Sequence, residues 1–128
     1  IIKKMVLNDF LVKNANVLIF GLTFKENCPD IRNTKVMDII KHFEEYQVKC
    51  DVVDPYIDFF NISQELKTKV NFLKKCPQKG NYSALVLAVA HKEFMEISST
   101  EWINLINQDG LMFDLKGIIP RELNPIRI

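Results

Sequence analysis

Glycine is scarce in this chain, four residues in 128, and none of the four are spaced as a phosphate-wrapping loop requires. Neither G-x-G-x-x-G nor G-x-x-x-x-G-K-[ST] can be written along it, which excludes a cradle for a pyrophosphate built from backbone alone. Cysteine is as sparse. Cys28, Cys50 and Cys76 stand far apart, with no C-x-x-C and no histidine near enough to complete a zinc pattern. Three is also an odd count for a disulfide framework, so reduced thiols in a cytoplasm are the expectation, with no metal site. Excess charge is missing too: 17 basic against 16 acidic residues leave +1, which gives no reason to expect nucleic acid or a membrane surface as partner. The Lys/Arg-rich stretches 67–79 and 116–127 are interleaved with apolar residues and read as solvated faces. No apolar run reaches membrane-spanning length, and no signal-peptide pattern opens the chain.

What is present is an ordinary globular composition, 48% hydrophobic and 26% charged, in a length suited to a single domain with a proper core. There are no internal repeats. The chain opens at Ile1 inside what reads as a helix over residues 2–13, and this is expected to be the end of a linker helix from a longer protein. Residues 14–128 then form the domain proper.

Hydrophobic periodicity orders that domain. "NVLIFGL" (16–22) and "ALVLAVA" (84–90) are continuous apolar runs, as strands buried on both faces require. Between them, Val36, Ile39, Ile40 and Phe43 fall at helical spacing, with Asn33 or Thr34 as N-cap. "VKCDVVDP" (48–55) is a strand stopped by Asp-Pro, followed by a short helix (62–69) and the short strand "VNFL" (70–73). Residues 92–107 read as helix, broken near Ser98–Ser99, and "GLMFDL" (110–115) as the last strand. The tail, with Pro120 and Pro125, reads as irregular. Alternating strands and helices predict an α/β fold: a Rossmann-like, doubly wound parallel sheet of order 3-2-1-4-5 with helices on both faces. In such sheets ligands sit beyond the carboxyl ends of the strands where the order reverses, here between 16–22 and 84–90.

The loop leaving the first of those strands, "GLTFKENCPDIRNT" (21–34), is long and chemically crowded for a mere connection. Lys25 is a mobile point charge suited to phosphate oxygens, and Arg32 a rigid fork suited to bidentate contact. Phe24 offers an apolar face to a base or sugar, and the helix beginning near Thr34 adds N-terminal amides. Equally compatible with composition, Lys25 pairs with Glu26 and Arg32 with Asp30, and Phe24 caps the core.

"VLIFGLTFKENCPDIRNTKVMDII" resembles the signature of the UDP-binding C-terminal domain of the UDP-glucose/GDP-mannose dehydrogenase family. With "DVVDPYID" (51–58), "AVAHKEF" (88–94) and "FDLKGI" (113–118), it is most similar to the branch that oxidises UDP-N-acetylhexosamines to uronic acids, precursors of polysaccharides. The resemblance implies an NAD-dependent nucleotide-sugar 6-dehydrogenase as parent. Its N-terminal NAD-binding domain, central dimerisation region and catalytic cysteine would lie in segments not present here. The parent would be a homodimer or larger and would oxidise the C6 alcohol in two hydride transfers through adducts on that cysteine. The isolated chain is then expected to be inactive, with no catalytic residue of its own. By position, the resemblance assigns Phe24, Lys25 and Lys116 to the UDP-sugar and Arg32 to the cofactor, NAD. A stand-alone, non-catalytic nucleotide-binding module is the alternative.

Other residues invite smaller readings. Cys28 beside Lys25 suggests a nucleophile, but no Cys-His pair is available. His91 is expected to bond the turn that follows it, and His42 to be a partly exposed structural residue. Asp51 and Asp54 suggest a phospho-acceptor domain, a reading that fails because the first strand ends in Gly21-Leu22 without an acid.

Overall fold

The computed structural model describes residues 1–7, 12–23, 25–31 and 34–127. Helices α1 (Ile2–Leu7), α2 (Val36–Glu45), α3 (Gln64–Lys69), α4 (Lys92–Met95) and α5 (Ser99–Leu105) accompany six strands. These are β1 (Asn16–Phe20), β2 (Lys49–Val53), β3 (Val70–Leu73), β4 (Tyr82–Leu87), β5 (Ile106–Asp114) and β6 (Ile126–Arg127). All pairings are parallel, and the spatial order is β3-β2-β1-β4-β5-β6. The expected order therefore holds, with one strand added at the edge.

Strand pleating divides the core into two layers. Val17 and Ile19 of β1 pack with Ile2 and Met5 of α1 and with Val36, Ile40 and Phe43 of α2. Leu18 and Phe20 point the other way, onto Phe94 of α4 and Trp102 and Leu105 of α5. Trp102 is fully buried, its ring 4.7 Å from that of Phe20. Burying a side chain of this class contributes about 1.5–3 kcal/mol, so the two layers are the main source of cohesion.

Several expectations need adjustment. The helix read over 2–13 is described as far as Leu7; residues 8–11 lie outside the described residues, and 13–14 form a turn. For α2 the N-cap is Lys35 without a side-chain bond, while Thr34 accepts the Val36 amide at 3.2 Å; Asn33 lies outside the described residues. The 92–107 helix does break before Ser99, but it ends at Leu105, because Ile106 pairs with Tyr82 and opens β5. The irregular tail contains β6, where Ile126 pairs with Phe113. Among the described residues no helix is long and apolar enough to cross a membrane.

Candidate functional site

Because β1, β2 and β4 run parallel and adjacent, the loops leaving them meet at one rim. Gly21 turns the chain there at φ +94°, and a Cβ on it would stand 2.5 Å from that of Val89. This glycine thus admits the close packing of the two strand exits. It does not open a backbone cradle to a ligand, and the described residues do not fit the pyrophosphate of a dinucleotide as a glycine-rich turn would.

Asp54 is the hub of the rim and is fully buried. Its Oδ2 accepts the amides of Leu22 and Thr23 at 2.8 and 3.2 Å, and its Oδ1 that of Tyr56 at 2.8 Å. Burial pushes this carboxyl up, but the bond from His91 and the amides of Leu22 and Tyr56 outweigh it and hold it below the ordinary value of 3.8. His91, also fully buried, places Nε2 at 2.9 Å from Asp54 Oδ2 and 3.1 Å from Thr23 Oγ1. Its Nδ1 accepts the Asn27 amide at 2.9 Å. Asn27 also caps α4, its Oδ1 accepting the Lys92 amide at 2.9 Å. Tyr56 lies over the imidazole with ring centroids 4.7 Å apart and donates its hydroxyl to Glu93 at 2.8 Å. The His91 ring therefore bonds the loops after β1 and β2, while the expected bond to the following turn is made by its carbonyl, which accepts the Phe94 amide at 3.0 Å.

Two of the expected cations, Lys25 and Lys116, are among the described residues. Lys25 is exposed and forms no ion pair among the described residues. Glu26 instead faces Lys116, 3.8 Å away, from the loop after β5. The alternative Lys25–Glu26 pair is thus replaced by a contact between loops. Lys116 is presented by buried Asp114, which accepts the amides of Lys116, Gly117 and Ile119 at 3.1, 2.7 and 2.9 Å. Gly117 makes the turn at φ +80°. Phe24 and Arg32 lie outside the described residues; of the four predicted site residues, Lys25 and Lys116 are described, both exposed, and Lys116 is linked to the Lys25 loop through Glu26. Sequence reasoning missed Thr23, Asn27 and Asp114; the available signal was that Thr23 and Asn27 lie in the crowded loop after β1 and that Asp114 ends β5.

Elsewhere, burial pushes the thiols of Cys50 and Cys76 up to about 12 and about 11, making them poor nucleophiles. Among the described residues no group of three or more His, Cys, Asp or Glu could hold a metal ion. A cavity of about 610 Å³ opens at the opposite rim, lined by Gln47, Lys49 and Val70 among others.

Residues 18–121 match the pattern of the UDP-glucose/GDP-mannose dehydrogenase family, UDP binding domain. The chain belongs to this family. Its UDP binding domain is what the match covers, and the Lys25–Lys116 rim falls inside it. Relatives in the family include the UDP-N-acetyl-D-glucosamine 6-dehydrogenases of Salmonella typhi and Pseudomonas aeruginosa, 33% and 36% identical over the whole chain. Protein CapL of Staphylococcus aureus is 38% identical over 97% of it. The chain spans only 28–30% of the length of these relatives. Among solved structures, a UDP-D-ManNAc dehydrogenase from Pyrococcus horikoshii superposes with a TM-score of 0.66 at 18% identity, over 93% of this chain and 26% of its own. A UDP-glucose dehydrogenase from Pyrobaculum islandicum gives 0.64 at 18%, over 90% and 25%. These likenesses establish the shared Rossmann-like fold.

Proposed function

We propose that this chain is the UDP-sugar-binding part of an NAD-dependent nucleotide-sugar 6-dehydrogenase that converts a UDP-N-acetylhexosamine to its uronic acid. The observation that carries this reading is the contact of Lys116, on the loop after β5, with Glu26, the chain neighbour of exposed Lys25 on the loop after β1. Two exposed ammonium groups suit the oxygens of a diphosphate. The Lys116–Glu26 contact is partly exposed and worth only about 0–1 kcal/mol, so an arriving diphosphate can displace it cheaply. Phe24, on the same loop, supplies an apolar surface for the uracil or sugar. The named activities of the relatives favour an N-acetylhexosamine as the sugar.

The rim lacks a dinucleotide cradle, so NAD would be held mainly by another domain of the parent, with Arg32 reaching toward it. Alone, the chain would bind UDP weakly and oxidise nothing. Titrating UDP while recording amide resonances tests the assignment. Residues around Lys25 and Lys116 are expected to shift, and Lys25→Ala to weaken binding about fivefold, the worth of one exposed charge contact of about 1 kcal/mol. Shifts confined to another surface would show the site is misplaced.

A further inference from the structure

The buried polar network beneath Lys25 has only one consistent placement of protons. Nδ1 of His91 accepts the Asn27 amide, so it carries no hydrogen, and the imidazole proton sits on Nε2. Nε2 then donates toward Asp54 Oδ2, which is ionised and can only accept. Thr23 spends its hydroxyl hydrogen on the Lys25 carbonyl, 3.1 Å away, leaving a lone pair toward Nε2. The segment 23–27 is therefore pinned at both ends. Thr23 is held by Asp54 and His91, and Asn27 by His91 and the Lys92 amide. Asn27 also adopts φ 57°, a left-handed conformation that asparagine accepts more readily than other non-glycine residues. Lys25 lies between the two pins.

We propose that His91 is a positioning residue for the nucleotide-sugar site: without touching the ligand, its Nδ1 lone pair holds residues 25–27 in the conformation that presents Lys25. This rests on the reading of Lys25 as a UDP contact. Its value is preorganisation, since a loop ordered before the ligand arrives loses less entropy on binding.

Two substitutions separate the two sides of the ring. In His91→Asn the side-chain oxygen occupies the place of Nδ1 and can still accept the Asn27 amide, but the donor to Asp54 is lost. In His91→Gln the amide nitrogen occupies the place of Nε2 and can still donate to Asp54, but the acceptor for Asn27 is lost. Nitrogen-15 spectra of the unliganded wild type should show Nδ1 as the bare ring nitrogen and Nε2 as the protonated one. His91→Gln should displace the amide resonances of residues 25–27 and weaken UDP binding about fivefold relative to His91→Asn, the worth of one hydrogen bond. That order should hold whichever variant melts lower. A protonated Nδ1, undisturbed loop amides in His91→Gln, or a UDP affinity of His91→Gln no weaker than that of His91→Asn would each overturn the proposal. If wild type binds no UDP, the UDP reading fails by itself, while the tautomer and the loop resonances still decide the role of His91.

Discussion

Arg32 and Lys25 lie seven positions apart on one loop, and their side chains are not interchangeable. An ammonium is a compact charge that adapts to any phosphate oxygen, whereas a guanidinium gains most from planar, paired contact. If Lys25 serves the nucleotide sugar, Arg32 is available for the cofactor side. In the full-length parent, Arg32→Ala is expected to raise KM for NAD, or lower kcat, far more than it weakens UDP binding, and Arg32→Lys to rescue little. Steady-state kinetics in NAD beside UDP titrations measure both; unchanged NAD kinetics would remove Arg32 from that role. At this scale the sequence is legible where a residue would act through its own chemistry, as proposed for Lys25 and Lys116. It was opaque for Asp54 and Asn27, whose roles are made by partners 31 and 64 residues away. The Asp-Pro step marked the end of a strand and suggested a phospho-acceptor reading that fails, yet its carboxylate gathers amides from two loops.

Elements show the same division. The apolar runs of β1 and β4 and the helical period of α2 were readable because burial on two faces, or on one stripe, writes itself into spacing. Two-residue β6 has no room for a pattern, and the start of β5 is decided by its neighbour Tyr82. The break between α4 and α5 was foreseen at Ser98, and a capping box there fixes it: Ser98 Oγ accepts the Glu101 amide and Glu101 accepts that of Ser98, at 3.2 and 3.1 Å. Ser63 caps α3 in a similar way through the Leu66 amide. The two caps should differ in worth, because α5 buries Trp102 and Leu105 while α3 buries no residue fully. Ser98→Ala is expected to cost about 1 kcal/mol, lowering Tm by about 4 °C. Ser63→Ala should cost clearly less, since α3 can fray without exposing the core. Equal losses in thermal melts would show that cap strength does not depend on the packing behind it.

Across the whole molecule, three strand-end loops depend on one ionised carboxylate. Asp54 has a folded pKa below its ordinary value of 3.8, so its contribution to stability is fully present above that value and is lost as pH falls through the lower, folded one. Tm should therefore fall on acidification through and below the carboxylate range. Asp54→Asn, which replaces an acceptor with a donor facing backbone amides, should melt lower at neutral pH and lose less over that acidic window. Parallel slopes for the two proteins would mean that other carboxylates govern acid unfolding. On the sheet face away from α2, meanwhile, the one tryptophan of the chain is sealed against Phe20, the residue immediately before Gly21. The protein thus contains its own optical gauge. Light emitted by that indole comes from a dry, hydrocarbon-like setting, and any reddening of it registers water arriving between α5 and β1, whatever occupies the rim above.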